Sequence, residues 1–213
     1  RIQELMEQNV HEQEQKRKSE LKALQSQINP HFLYNTLDSI IWMSEAGEND
    51  QVVLMTAALA KLLRQSISND REQITVAEEI DYVRSYLTIQ KMRYKDKLEY
   101  TIDVEERILD VRIIKFVLQP LVENAIYHGL KYKETKGNLD IRGYRRGNRV
   151  CLVVADDGAG MEESELEHIL EKKEKKTKSN GVGVYNVQKR LQLYYGAEYG
   201  ISYISRKGEG TVA

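Results

Sequence analysis

Cysteine is nearly missing from this chain. Cys151 is the only one, so no disulfide can close within it and a reducing compartment is expected. Proline is almost as scarce, with two in 213 residues, which leaves little to interrupt helices and gives weight to where Pro30 stands. No apolar run approaches the ~20 residues needed to span a bilayer, and no leader pattern opens the chain; it reads as soluble. Excess charge is absent too: 32 basic against 33 acidic side chains leave a net charge of -1, so nucleic acid is not an implied partner. The one local excess is the five lysines between Lys172 and Lys178.

What is present is ample for a core. With 41% apolar residues in 213, the chain can hold one large or two small domains. It begins at Arg1 without a methionine and stops at Gly210-Thr211-Val212-Ala213, a strand cut short, so a longer parent protein is expected.

Residues 1–20 are almost all helix formers, with Ile2, Leu5, Met6 and Val10 on one side and a polar stretch from His11 to Glu20. Such a helix cannot bury itself alone and reads as a coiled-coil connector. Residues 21–72 follow as a helical hairpin. Leu21, Leu24, Ile28, Phe32, Leu37 and Ile41 recur at helical steps up to about Ser44, Ala46 to Asp50 form a turn, and a second helix spans about Gln51 to Ser68 with Leu54, Ala57, Ala58, Leu62 and Ile67 as its buried stripe. Two helices expose too much apolar edge to stand as a lone pair, and two copies closing into a four-helix bundle would cover it, so a homodimer is expected.

Within that hairpin, Ser26-Gln27-Ile28-Asn29-Pro30-His31-Phe32-Leu33-Tyr34-Asn35-Thr36-Leu37 puts a histidine directly after a proline. Pro30 lacks an amide hydrogen and crowds the carbonyl of Ser26, so it should kink the axis beside His31 at a cost of roughly 3 kcal/mol. A kept kink beside a nucleophilic imidazole points to use of that geometry; a packed or solvated histidine is the plainer alternative.

From residue 73 the text changes character. Thr75 with Glu78 makes a capping box for a helix over about Val76 to Tyr94. Leu98 to Val104 alternates as a strand, Arg112 to Lys131 reads as a helix, Leu139 to Tyr144 and Arg149 to Ala155 make a hairpin about Gly147-Asn148, a helix spans about Val184 to Tyr195, and strands at Gly200 to Ser205 and from Thr211 close the chain. Helices mixed with antiparallel strands make residues 73–213 an α+β sandwich, a helical layer over one sheet.

Three stretches of this second module carry chemistry. In Gln119-Pro120-Leu121-Val122-Glu123-Asn124-Ala125-Ile126-Tyr127-His128-Gly129, a step of about 100° per residue puts Glu123, Asn124, Tyr127, His128 and Lys131 in one arc and the apolar residues in the other. An Asn carbonyl suits Mg²⁺, and a neighbouring carboxylate can accept a proton; an ordinary solvent stripe would look the same. In Val153-Val154-Ala155-Asp156-Asp157-Gly158-Ala159-Gly160-Met161 an apolar strand runs into Asp-x-Gly-x-Gly. A carboxylate there can accept from an exocyclic amine such as adenine N6, and glycines let backbone lie against a flat base, although Asp-Gly also marks plain turns. In Ser179-Asn180-Gly181-Val182-Gly183-Val184 glycines lead into a helix whose free amides can bind phosphate. The Lys- and Glu-rich segment between the last two stretches, which includes His168, reads as a mobile flap whose lysines meet either a polyphosphate or solvent.

In this order and spacing the three stretches resemble the nucleotide-binding boxes of histidine kinases in the gyrase, Hsp90, histidine kinase and MutL (GHKL, Bergerat) ATPase superfamily. Together with Gln27 to Leu37, Leu118 to Ile126 and His128-Gly129 they look like the LytS/YehU-type subfamily of sensor histidine kinases. The resemblance implies ATP and Mg²⁺ as cofactors and His31 as phosphoacceptor, handing the group to an aspartate of a response regulator. It further implies Asn124 as the Mg²⁺ ligand, Asp156 on adenine, Gly158 and Gly160 beside the base, Gly181 and Gly183 bordering the phosphates, Thr211 at the nucleotide and Glu123 next to the reacting centre. Asn35, one turn along the helix from His31, is placed to hold its tautomer, and with Tyr127 at a frequent Lys position a phosphate contact is expected to pass to His128 or Lys131. The parent would be a bacterial membrane sensor with this portion in the cytoplasm.

Two departures stand out. Many histidine kinases carry an acid directly after the phosphoaccepting histidine, where this chain has Phe32, so the base is open; and Tyr127 replaces a frequent Lys. A nucleotide-binding signalling scaffold without kinase activity, or plain ATP hydrolysis, are the rival readings.

Overall fold

In the computed structural model the structure describes residues 30–67, 71–131, 133, 135–169 and 182–213. The expected connector at residues 1–20, the turn ahead of Pro30 where a kink would show, Gly181 and the lysine-rich stretch lie outside the described residues.

Helix α1 (Pro30–Glu45) and helix α2 (Asn49–Ile67) form the expected hairpin. Gly47 turns the chain between them at φ 76°, a left-handed conformation that glycine adopts without steric cost. The buried stripe of α2 is rotated from the expected one: Met55, Leu59 and Leu62 are buried, while Leu54 and Val53 stay exposed. The cause is a third helix, α3 (Val76–Tyr94), which takes the hairpin as a packing partner and so decides which side of α2 turns inward. Phe32 stacks on Tyr86 of α3 with ring centroids 5.0 Å apart. At the far end the Tyr82 and Ser66 hydroxyls lie 3.3 Å apart, and Lys61 pairs with Asp81 at 2.6 Å.

Helix α3 starts as its sequence dictates. The Thr75 hydroxyl accepts the Glu78 amide at 3.1 Å, and the Glu78 carboxylate accepts the Thr75 amide at 2.7 Å, satisfying two amides that a helix start leaves orphaned. Strands β1 (Gln73–Thr75) and β3 (Arg112–Ile114) pair antiparallel on one side of it. The main sheet has five strands in the order β2 (Leu98–Val104), β4 (Gly137–Arg146), β5 (Arg149–Asp156), β7 (Gly210–Val212), β6 (Ile204–Arg206), all antiparallel except the β2 and β4 pair. Along β4, Leu139 and Ile141 are buried and Asn138 and Arg142 exposed, the alternation of a sheet covered on one face. The covering layer is α3, helix α4 (Leu118–Asn124) and helix α6 (Val182–Tyr195), through Val83, Leu87, Val122, Ile126 and Val184.

Three boundaries differ from expectation. Residues 112–114 are strand β3 rather than helix because Ile113 and Ile114 complete the small ladder with β1. The last turns of the α4 rod, Ala125–Leu130, widen to π-helix. In place of a strand from Gly200, the ladder begins at Ile204, since the Ile201 amide donates to the Gln188 side chain at 2.6 Å and not to a neighbouring strand. A short helix, α5 (Glu163–His168), occupies the described start of the expected flap.

Candidate functional site

Four glycines draw three backbone segments around the end of β5. A Cβ on Gly129 would sit 2.4 Å from Asp156 Oδ1, and one on Gly158 would lie 2.2 Å from the Gly129 carbonyl. Gly160 and Gly210 take φ of 62° and 104°, and a Cβ on them would come within 2.0 Å of the carbonyls of Arg206 and Asp156. The Ala159 amide donates to the Gly129 carbonyl at 3.0 Å and the Gly208 amide to the Ala159 carbonyl at 2.7 Å. The result is a side-chain-free cradle that sequence reading found only in part. Gly158 and Gly160 follow from the Asp-x-Gly-x-Gly pattern, whereas Gly129 and Gly210 are demanded by segments distant in sequence.

The two adjacent aspartates in the cradle have opposite environments. Asp157 works against its own burial: the Asn138 amide at 2.8 Å, the Asn138 side chain at 2.6 Å and the Lys133 ammonium at 2.8 Å together hold it below the usual carboxylate range. Asp156 has the Gly158 amide on Oδ1 at 2.9 Å and pairs with Thr211 in the sheet. Burial outweighs these donors, and Asp157 beside it adds to the effect, so its pKa is pushed up to about 6. Asp157 is thus tied into the fold, and Asp156 is the carboxylate with acceptor capacity to spare. Thr211 itself is anchored, its hydroxyl 2.9 Å from Ser205 Oγ, which donates to the Gly210 carbonyl at 2.9 Å.

Asn124 is half-buried at the end of α4. The Tyr203 phenol lies beside it, with burial raising its pKa; its hydroxyl makes no hydrogen bond of normal geometry. A buried phenol in reach of the Asn124 amide, a glycine cradle and an under-satisfied carboxylate fit a flat, hydrogen-bonding ligand. Gly183, exposed at the start of α6, leaves a Cβ 3.4 Å from Pro120 of α4, so the two helices approach closely there.

The single polar arc expected on the α4 rod is split. Glu123 is pushed up in pKa by burial, accepts from Gln119 Nε2 at 2.8 Å, and its charge is felt by Tyr82 and Tyr86 of α3. The Tyr127 hydroxyl is likewise buried and lies near Tyr86. Glu123 and Tyr127 therefore face α3 and not the Asp156 cradle, while His128 and Lys131 are exposed. The π turn changes the phase of the helix by giving its residues less than 100° each, which a uniform helical wheel cannot register.

His31 is exposed on α1, with the Asn35 amide nitrogen 3.2 Å from its ring nitrogens. Phe32, next to it, is 3% exposed. The place where an acid was looked for is a packing anchor against Tyr86, and a carboxylate there would be desolvated without a partner.

Comparison with known proteins agrees with this arrangement. Residues 19–98 match the histidine kinase family model, and residues 109–213 match the model of histidine kinase-, DNA gyrase B- and HSP90-like ATPases. Sensor histidine kinase YesM of Bacillus subtilis (strain 168) is 40% identical over 211 residues, 99% of this chain and 35% of that protein. Sensor histidine kinase YpdA of Escherichia coli (strain K12) is 37% identical over 180 residues, 84% of this chain and 31% of that protein. The chain thus spans about a third of the length of these curated relatives. A solved bacterial phosphotransferase, 16% identical, shares the fold with a TM-score of 0.53, over 92% of this chain and 94% of that one. With both family models in sequence order and whole-chain identity at this level, the chain belongs to the sensor histidine kinases, its second half an ATP-binding domain of the gyrase and HSP90 type.

Proposed function

We propose that this chain is the kinase portion of a two-component sensor, in which His31 takes the γ-phosphoryl group of ATP and passes it to an aspartate of a response-regulator receiver domain. What carries the reading is the contrast between Asp156, a buried carboxylate with spare acceptor capacity in a glycine cradle, and His31, an exposed imidazole on a helix docked against the same module. We divide the chain into a connector at 1–20, a phosphoacceptor hairpin at 21–72 and an ATP-binding module at 73–213.

Asp156 accepts from the exocyclic amine of adenine, and Gly129, Gly158 and Gly160 keep side chains off the base. Thr211, anchored to Ser205, fixes the strand that backs Asp156. We place the phosphates between the exposed His128 and Lys131 at the end of the α4 rod and Gly183 at the start of α6; Gly181, outside the described residues, joins them on the resemblance alone. Mg²⁺ would be held by Asn124, half-buried at the end of α4, together with phosphate oxygens and water, all hard oxygen donors suited to that cation. Bound there, Mg²⁺ neutralises phosphate charge.

Phosphoryl transfer asks mainly for positioning. Asn35 holds the imidazole tautomer. A His31 nitrogen forms the N–P bond as the bond from the γ-phosphorus to ADP breaks, and the imidazole proton passes to a carboxylate. We assign that role to Glu123, as the resemblance implies; burial makes its carboxylate more basic, and His31 has to be carried to it from its exposed place on α1.

The second copy in the complex is this chain itself. Tyr34, Leu37, Ile41 and Trp42 of α1 and Val53 and Leu54 of α2 are exposed, an apolar face that a homodimeric four-helix bundle would cover. No described helix is long and apolar enough to cross a membrane. From the likeness to sensor kinases we further propose that the parent protein is a membrane sensor and that this portion works on its cytoplasmic side.

Incubation with Mg²⁺ and γ-labelled ATP should give an acid-labile, base-stable phosphoprotein. His31→Gln should carry no label and Asn124→Ala should lose it with the metal. Label persisting in His31→Gln would overturn the acceptor, and nucleotide binding with no phosphohistidine under any condition would favour a scaffold.

A further inference from the structure

Just ahead of α4 lie two buried charges that the proposed chemistry does not use. Glu79, in the first turn of α3, is 0% exposed and Arg190, on α6, is 2% exposed. The Glu79 carboxylate accepts the Phe116 amide at 2.8 Å and the Leu118 amide at 2.9 Å. Helix α4 has no side-chain cap of its own, so Glu79 supplies from another helix the acceptor and the negative charge that its orphan amides require. Arg190 donates to the Phe116 carbonyl at 3.4 Å and to the Lys115 carbonyl, and its charge reaches Glu79. Phe116, gripped from both sides, has φ 60°, a left-handed conformation costly for a residue with a side chain.

Three helices are locked at this point. α3 carries Tyr82 and Tyr86 towards the hairpin, α4 carries Asn124, and α6 begins at the close approach of Gly183 to Pro120. An apolar cluster of equal volume could hold three helices together as firmly. What it lacks is direction: a carboxylate and a guanidinium bonded to named backbone groups allow one rotation and one height of α4 against α6.

We propose that Glu79 and Arg190 are a positioning pair for the phosphate end of the nucleotide, setting the distance and phase between the first turn of α6 and Asn124. The inference rests on ATP lying between α4 and α6, as assigned above. It deepens that reading by making two residues remote from the cradle determinants of triphosphate binding, while adenine recognition at Asp156 is left alone.

The test is equilibrium binding of Mg²⁺-ATP and of adenosine to the purified chain, beside thermal melting without ligand. Arg190→Lys keeps the positive charge but cannot fork onto two carbonyls. It is expected to bind ATP about tenfold more weakly, within the usual range for coupled sites, and adenosine as the wild type does. ATP should also no longer protect the 118–124 amides from hydrogen exchange in this variant. Should Arg190→Lys not fold, the doubly neutral Glu79→Gln, Arg190→Gln variant decides, because removing both charges avoids an unpaired one. Its melting temperature is expected to recover relative to the single changes while its ATP affinity does not. ATP affinity that stays at the wild-type level, or that follows melting temperature across all variants, overturns the proposal. Loss of adenosine binding along with ATP also overturns it, because the pair would then be holding up the whole module. Failure of the site itself is told apart by Asn124→Ala, which in that event leaves Mg²⁺-ATP affinity unchanged.

Discussion

Asp156 and Asp157 stand side by side, yet only the second has its charge compensated, and this difference has a pH signature. With Asp156 pushed up to about 6 from 3.8, the folded protein holds that proton more tightly than the unfolded chain does. Stability contributed by the group is therefore full at low pH and falls as pH rises between the two values. ATP binding runs the other way, since the ionised carboxylate is the better acceptor. Nucleotide affinity should decline below pH 6, and in Asp156→Asn it should be low and without that step, as read by titrating a fluorescent ATP analogue from pH 5 to 8. Gly129→Ala should be nearly as damaging as loss of the aspartate, because its new methyl group would stand 2.4 Å from Asp156 Oδ1; an isothermal titration showing wild-type affinity would mean that the cradle can yield. Asp156, Gly158 and Gly160 were legible because strand, acid and glycine are contiguous. Gly129 and Gly210 were not, since the need for a missing Cβ arises only when their segments meet in space.

At the scale of elements, α3 is the hub. Its start was readable to the residue, because a capping box is a local pattern. Its partnership with the hairpin was not, since packing between modules leaves no periodic mark of its own, and so the buried stripe of α2 was misplaced. The same packing explains Phe32. Phe32→Ala should lower stability by about 3 kcal/mol, the low end for a buried phenylalanine, and drop the melting temperature by roughly 6–12 °C. Phe32→Glu should fail to speed autophosphorylation, because the acid would enter the Tyr86 contact and not reach the imidazole. By comparison Lys61→Ala should change little, within about 1 kcal/mol, its pair with Asp81 being 49% and 43% exposed. The π turn after Asn124 is the other element that sequence could not foretell, since a wheel of constant pitch misplaces the residues that follow it, Tyr127 among them; Glu123, ahead of that turn, is drawn against α3 by the packing of α3 on α4.

For the whole molecule the decisive feature is where the hairpin is left bare. Phe32, Thr36 and Met43 of α1 are buried, Phe32 against Tyr86 of α3, while Leu37 and Ile41, on the other side of α1, are 43% and 54% exposed. Around the helix His31 lies about 80° from Ile41, so a second copy docked over Leu37 and Ile41 leaves the imidazole at the seam's edge, open to both a nucleotide domain and a receiver domain. Aspartates at these two places would put desolvated charge into the seam at a cost of several kcal/mol, and every 1.4 kcal/mol weakens association tenfold. The proposed dimer should therefore be lost in the variant Leu37→Asp, Ile41→Asp, which is expected to sediment as a monomer and the parent chain as a dimer; the variant should still bind ATP, because the Asp156 cradle lies wholly within one chain. Its autophosphorylation then reports the direction of transfer: a monomer that labels His31 transfers within one chain, and a monomer that binds ATP but leaves His31 unlabelled shows that transfer needs the second copy.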